Sequence, residues 1–171
     1  MHIMDIISHG LYGGVGFGRK NKRAFLIAFL FGILPDALSF GVYFMLGIFG
    51  FIELGTNGGG PPDPKFIPQF VYIMYDITHS LVIFALFAGI LYLLGRKTLL
   101  WLSLGWPLHI LVDIPTHDAT FFPTPFLWPI SNFTIDGVSW GTPWIFFPNV
   151  ALIIGLYTYW WYSHKKRRRA Q

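Results

Sequence analysis

The positive charges of this chain lie in three short clusters, and long apolar stretches separate the clusters. Only one of the 12 Lys and Arg residues stands outside them. This distribution is typical of a chain that crosses a bilayer repeatedly and returns to the same side, because cationic residues stay on the cytoplasmic face. The sequence therefore predicts an integral membrane protein. The clusters lie within residues 19–23, 96–97 and 165–169, and the isolated cation is Lys65.

The composition agrees with a membrane protein and excludes several other classes. With 54% hydrophobic and 12% charged residues, a soluble domain of 171 residues would have too little polar surface. No cysteine is present, so any metal must be held by imidazole, carboxylate or backbone oxygen. The net charge of +4 comes from the flanks of the apolar segments, without interleaved aromatic residues. We therefore expect no nucleic-acid partner, and some attraction to anionic membrane lipid.

The apolar segments predict an all-α fold, a polytopic membrane helical bundle forming a single integral membrane domain over residues 1–171. Each long segment can cross a bilayer as one helix. A fifth, glycine-rich segment at the N-terminus suits a short packed or re-entrant helix, since glycine lets neighbouring helices approach closely. The four predicted transmembrane helices lie in residues 24–52, interrupted by Pro35-Asp36, and in 69–95, 98–114 and 144–163; the short helix is 3–17.

The charge clusters also predict the orientation in a cell (inner) membrane. The basic tail, residues 164–171, would be cytoplasmic, and the N-terminus would be outside or within the bilayer. The outer connections would be residues 53–68, a flexible loop, and residues 115–143. For the aromatic residues of the second connection we favour a belt at the membrane interface over a lid that contacts substrate. These residues are Phe121, Phe122, Phe126, Trp128, Trp140 and Trp144.

Ionisable residues occur inside the predicted membrane segments. Measured along helices from the nearest cytoplasmic cation, five of them lie roughly 15 to 25 Å deep in a core about 30 Å thick. Buried charges are costly in a bilayer unless they are paired, so a cluster at one depth predicts a functional site. The residues are His9, Asp36, Asp76, His79, His109 and Asp113, with His117 just beyond the membrane segment.

The spacing of these residues favours a metal site over a buried hydrogen-bond network. His109 and Asp113 are four residues apart and Asp76 and His79 are three apart, so each pair shares a helical face. Imidazole and carboxylate are common ligands of divalent metals, and converging helices can complete a shell of four to six ligands.

The same motifs resemble those of the small membrane-bound metal-dependent hydrolases. They are also distantly similar to the ligand pattern of zinc-dependent phospholipase C and the zinc nucleases, which implies that Asp113 bridges metals. The resemblance implies a metal-dependent hydrolase with Zn as the expected ion. The matching stretches are Asp5-Ile-Ile-Ser-His9, Leu34-Pro35-Asp36, Thr78-His79-Ser80-Leu81, and His109 to Asp113 followed by His117.

Two departures from these families limit what the resemblance implies. Met74-Tyr75-Asp76 stands where many members carry His-Arg, so a phosphate-binding Arg is missing. The distant relatives use downstream His and Glu ligands for a further metal, and only His117, Asp118 and Asp136 are available here. One or two ions are therefore expected.

The sequence thus predicts a divalent-metal-dependent hydrolase of a phosphoester, either a lipid or a small molecule, at the outer leaflet. Asp113 and Asp76 are the predicted catalytic residues, with Asp76 as a partner of a ligand or a general base, although a capping role is equally open. A metal or proton transporter and a metal-stabilised scaffold remain alternatives. The hydroxyls of Thr78 and Ser80 are expected to bond to backbone. The predicted metal ligands are His9, Asp36, His79, His109, Asp113 and His117.

Overall fold

A computed structural model describes residues 3–55 and 61–169, and within these ranges the chain is helical without a strand. The prediction of an all-α fold is therefore confirmed. The predicted position of Met1 and the glycine-rich part of the loop at 56–60 lie outside the described residues. The helices are α1 (Ile3–Phe17), α2 (Lys22–Asp36), α3 (Val42–Ile48), α4 (Gln69–Thr78), α5 (Leu81–Leu93), α6 (Lys97–Ser103), α7 (Gly105–Thr116) and α8 (Pro143–Arg169), with a π-helical turn at Ala37–Gly41 and a 3₁₀ turn at Pro64–Phe66.

Two helical stretches are long and apolar enough to cross a membrane. These are Lys22–Ile48, with 27 residues, and Lys97–Thr116, with 20 residues. Helices α4 and α5 are bent by 58° and form a third candidate if they are counted as one span. The predicted count of four long spans is not supported by the described residues. Helix α8 has the length, but its many Trp and Tyr residues make it less apolar than a spanning segment.

The Pro35-Asp36 step does not end the second helix, although the sequence predicts an interruption there. Helix α2 continues through the π-helical turn into α3. Proline removes one backbone donor, and a π-helical turn is a common way to absorb the misfit. The Ser39 hydroxyl donates to the Pro35 carbonyl at 2.9 Å, which satisfies that oxygen. Asp36 is thereby held at a buried bend in the helix.

Glycines bring α1, α2 and α7 into backbone contact. A Cβ on Gly13 would lie 2.5 Å from the Ala28 carbonyl oxygen, and one on Gly32 would lie 2.4 Å from the His9 carbonyl oxygen. A Cβ on Gly105 would lie 2.6 Å from the same oxygen of Ala28. Helix α1 is therefore packed tightly against two other helices, which places its polar side chains inside the bundle.

The three basic clusters meet at one end of the bundle. Arg23 lines a cavity together with Arg96 and Lys97. Arg19 and Lys20 line a second cavity with Trp160, Ser163 and His164, next to the basic end of α8. Helix α2 and the stretch Lys97–Thr116 both start at this end and run to the opposite one, so Asp36 and Thr116 lie far from the cations.

The long connection between α7 and α8 folds back over the opposite end of the bundle. The Gly137 N–H donates to the His117 carbonyl at 2.9 Å, and the Trp140 N–H donates to the Thr116 carbonyl at 2.9 Å. Earlier in the connection, the Phe126 carbonyl accepts the N–H of Leu81, at the start of α5, at 3.0 Å. The segment is therefore bonded to the helices and forms a cover.

Candidate metal centre

Four elements bring five of the predicted metal ligands together in the interior. His9 comes from α1, Asp36 from the end of α2, and His79 from the break between α4 and α5. Helix α7 supplies His109 and Asp113, one turn apart. All five residues are buried, with 4% or less of their surface exposed.

Both oxygens of the Asp113 carboxylate face imidazole nitrogens. Oδ1 lies 2.9 Å from Nε2 of His9. Oδ2 lies 2.9 Å from Nε2 of His109 and 3.4 Å from Nε2 of His79. The four-residue spacing in α7 therefore produces the predicted pairing, and the other two imidazoles arrive from different helices.

Backbone carbonyls set the tautomers of two of these imidazoles. Nδ1 of His109 lies 2.8 Å from the Gly32 carbonyl oxygen, and Nδ1 of His79 lies 3.1 Å from the Tyr75 carbonyl oxygen. A carbonyl can only accept, so each Nδ1 carries the proton and each Nε2 carries a lone pair in the neutral ring. The two Nε2 atoms lie 3.2 Å apart. Metal-binding histidines are oriented in the same way.

Asp36 completes the cluster on the side away from His9. Its Oδ1 lies 3.5 Å from Nε2 of His79 and 4.0 Å from Nε2 of His109. Two groups of three residues could therefore hold a metal ion, one with His9, His109 and Asp113 and one with Asp36, His79 and His109. In each group the ligand atoms lie within 4.8 Å of one another. The groups share His109, and Asp113 of the first group also lies 3.4 Å from Nε2 of His79 in the second.

The break between α4 and α5 positions His79. The Ser80 hydroxyl oxygen accepts the N–H groups of Val82 and Ile83 at 3.1 and 3.2 Å, which caps α5. The same hydroxyl donates its proton to the Trp128 carbonyl. The Thr78 hydroxyl donates to the Met74 carbonyl at 2.7 Å. Both hydroxyls therefore bond to backbone, as the sequence suggested.

A cavity of about 220 Å³ lies over the cluster, on the side away from the basic end. Asp36 and His117 contribute its polar floor, and residues of the long connection form its walls. Of the five cluster residues, Asp36 is the one that lines this cavity. The lining residues include Asp36, Phe40, Tyr75, Thr116, His117, Phe121, Phe122 and Trp140.

His117 lies at the edge of the cluster, where it lines the cavity. Its Nδ1 is 3.1 Å from the Tyr75 hydroxyl oxygen and 3.9 Å from Oδ2 of Asp113. The Tyr75 proton goes to the Phe122 carbonyl, 2.8 Å away, so the Tyr75 oxygen accepts the Nδ1–H of His117. Nε2 is then the basic nitrogen of a ring on the cavity wall.

Asp76 is not brought to the cluster. It lines a separate cavity of about 260 Å³ with Tyr72, Trp128 and Asn132, and the Tyr75 and Phe122 side chains line both cavities. His79 lies beyond the last residue of α4, so the three-residue spacing does not keep the two side chains on one helical face.

Asp118 and Asp136, the candidate ligands of a further metal, instead fix the long connection. Asp118 accepts the N–H of Thr120 at 2.9 Å and also its hydroxyl, and these hydrogen bonds hold the pKa of Asp118 below its usual value. Asp136 accepts the N–H of Ala119 at 2.8 Å.

The aromatic residues of the connection divide between different environments. Phe121, Phe122 and Trp140 line the cavity over the cluster, as a lid would. Phe126 packs against a core cluster, while the Trp144 side chain is 86% exposed, as a residue in an interfacial belt would be.

Sequence reasoning missed three contributors to the site. Tyr75 supplies both its carbonyl and its hydroxyl, and its position four residues before His79 was an available signal. The Gly32 carbonyl could not be assigned, because any residue could offer it. Trp140, whose ring centroid lies 6.3 Å from that of His9, joins the site only through the fold of the connection.

No protein-family model, curated protein or solved structure matches this chain.

Proposed function

We propose that this protein is a membrane-embedded hydrolase that uses one or two divalent metal ions, with zinc as the favoured ion, to cleave a phosphoester. The cluster offers imidazole nitrogens and carboxylate oxygens, which are the ligand atoms that zinc prefers when cysteine is absent. The resemblance of the motifs to metal-dependent hydrolases supports the same reaction class.

A single observation carries the metal assignment. The Nε2 atoms of His79 and His109 face each other at 3.2 Å while both Nδ1 atoms lie against carbonyls. Two lone pairs at that distance repel unless a cation or a proton lies near them. The adjacent carboxylates of Asp36 and Asp113 supply negative charge for a divalent cation, so the residues present fit the metal.

The chain's own residues would then divide the remaining work. His9, Asp36, His79, His109 and Asp113 would hold the metal, which when bound supplies Lewis-acid activation of water and neutralises charge on a phosphoryl oxygen. Asp113 would use one oxygen for each group of ligands and so tie the two groups together. The cover would exclude bulk water.

His117 is the proposed proton acceptor in this reaction. Its Nδ1 lies 3.1 Å from the Tyr75 oxygen, which would orient the ring, and the imidazole lines the cavity, where it could accept a proton from the attacking water. Because no Lys or Arg lines the cavity in the described residues, the metal and neutral donors would carry the charge neutralisation.

The charge distribution supports an orientation with the cavity at the outer face of a cell membrane. The basic clusters lie at the opposite end of the bundle, where the positive-inside rule favours the cytoplasm. A substrate could then arrive from the outer leaflet, so we favour a membrane lipid phosphoester over a small soluble one.

The broken α4–α5 span favours a second candidate, a transporter, because transporters also build sites at helix breaks. Transport requires a polar route on both sides of the cluster. However, Phe84 and Trp106, which lie nearer to the basic end along α5 and α7 than His79 and His109 do, form a buried apolar layer with Ile110. The ring centroids of Phe84 and Trp106 lie 5.6 Å apart. This layer favours a pocket with one opening.

Proteoliposomes with controlled metal content distinguish these candidates. The wild-type protein, loaded with zinc, is expected to release phosphate or phosphorylated headgroup from outer-leaflet phosphoesters, and His79→Ala is expected to abolish the release. Zinc should not enter the lumen in either case. Metal flux through the wild type, lost in His79→Ala and without turnover, would establish the transporter, and bound metal with neither activity would establish a scaffold.

A further inference from the structure

A large groove runs along the outside of the bundle between α1, α7 and α8. Its volume is about 590 Å³, and most of its lining is aliphatic. Along α8 it extends from Ile145 to Tyr159, a helical length of roughly 21 Å. This exceeds the roughly 15 Å of hydrocarbon in one leaflet, so the groove can receive one extended chain. The aliphatic lining residues are Val15, Leu108, Val112, Ile145, Leu152 and Leu156.

The groove lies next to the cavity over the metal centre. Thr116 and Trp140 line both spaces. The Trp140 ring also stacks on His9, with 30° between the ring planes. A molecule that filled both spaces would place a polar group against the His and Asp cluster and an apolar chain along α8.

Most polar groups in and beside the groove bond within the protein. The Tyr12 hydroxyl donates to Oδ1 of Asn149, and Nδ2 of Asn149 donates to the Ser8 hydroxyl at 3.0 Å. Trp140 differs, because it is 5% exposed and its Nε1–H has no acceptor in the described residues. A buried donor without a partner is unfavourable, so an acceptor supplied by a ligand would stabilise it.

We propose that the groove binds the hydrocarbon chain of the substrate, which is therefore a lipid phosphoester that enters laterally from the membrane. Trp140 marks the junction, and its indole N–H donates to an oxygen of the phosphoester. The proposal rests on the proposed hydrolase function for the identity of the headgroup, while chain binding can be measured without turnover.

The test uses two photoactivatable lipids with the same long acyl chain, each with a diazirine at the chain end. One is a phosphatidic acid and the other is the diacylglycerol without the phosphate. Both are incorporated into nanodiscs with the full-length, zinc-loaded protein, and the labelled residues are identified by mass spectrometry. We expect the phosphatidic acid to label Leu152 and Leu156 in preference to Ile154, which lies on the same helix outside the groove lining.

Two tryptophan substitutions provide a matched pair. Leu156→Trp fills the groove and should lower labelling by at least about ten-fold, because each displaced methylene changes the affinity several-fold. Ile154→Trp places the same side chain at a position 61% exposed and should leave labelling unchanged. Trp140→Phe keeps an aromatic ring but removes the indole N–H, and it should reduce the preference for the phosphate-bearing probe.

The outcomes separate this proposal from the proposed function. Equal labelling by both probes, or labelling that Leu156→Trp does not change, would mean that ordinary bilayer lipid fills the groove and would overturn the proposal. Labelling confined to contacts between two protein copies would overturn it in favour of an oligomer interface. Selective groove labelling without hydrolysis of any lipid phosphoester would sustain the groove and refute the hydrolase.

Discussion

Nε2 of His9 lies 2.9 Å from Oδ1 of Asp113, and this contact joins the first helix of the chain to the seventh. The other oxygen of Asp113 faces His109 and His79. One buried carboxylate thus connects imidazoles from three parts of the chain, and a cation between them would stabilise all of these contacts at once.

The first prediction concerns metal content. Asp113→Asn keeps the size of the side chain but removes the negative charge, so the purified protein should lose its bound metal almost completely, as should His109→Ala. His164→Ala should retain it, because His164 lies at the basic end of the bundle. Elemental analysis measures the zinc content of all three variants after purification in the presence of zinc. Undiminished metal in the two cluster variants would refute the metal centre.

The second prediction concerns helix packing. Gly32→Ala would force α2 away from the His9 backbone and should lower the free energy of unfolding by about 1–3 kcal/mol or more. Gly89→Ala is the matched control, since a Cβ there meets nothing within 4 Å. Thermal unfolding in detergent, followed by circular dichroism, compares the two. Equal stability of both variants would contradict the tight packing of α1 against α2.

The parts of the fold that were predictable are those in which a single physical effect determines the structure. Apolar segments bounded by cations predicted helices of membrane length, and the glycines of residues 3–17 predicted a closely packed short helix. The course of the chain at Pro35 was not predictable, because a proline can end a helix or be absorbed by a π-helical turn. The outcome depends on local contacts such as the hydrogen bond that the Ser39 hydroxyl donates to the Pro35 carbonyl. The predicted number of membrane spans was not supported at α8, because its aromatic side chains are only partly apolar.

The third prediction concerns the hydroxyl of Tyr75. Tyr75→Phe removes the oxygen that orients His117 but keeps the ring that stacks on His79 at 3.8 Å. We expect kcat/KM for phosphoester hydrolysis to fall about ten-fold with unchanged metal content, as for other groups that orient a functional histidine. Tyr72→Phe, at a residue that stacks on Phe122, is the control. A loss of activity equal in both variants would exclude a specific role for the Tyr75 hydroxyl.

The fourth prediction concerns orientation. Asn132→Cys and Thr98→Cys place thiols at exposed positions at opposite ends of the bundle. An impermeant maleimide added to intact cells should label the cysteine at 132 and leave the one at 98 unlabelled until the membrane is permeabilised. The reverse pattern would place the metal cavity on the cytoplasmic side.

The candidate site was predictable to the extent that it depends on helix periodicity and on the cost of buried charge. Together they predicted from the sequence that five residues form one cluster: His9, Asp36, His79, His109 and Asp113. Asp76 shows the limit of this reasoning. Its spacing to His79 holds only within a regular helix, and the cap formed by Ser80 ends that regularity.

The cap at Ser80 also has a consequence for the order of assembly during synthesis. The start of α5 bonds to the carbonyls of Phe126 and Trp128, which lie more than a whole helix later in the chain. When α4 and α5 leave the ribosome, these acceptors have not yet been made, so the cap at the start of α5 is completed only after residues 126–128 have been translated. The break that positions His79 is therefore stabilised by a segment made after α7, and not by α4 and α5 alone.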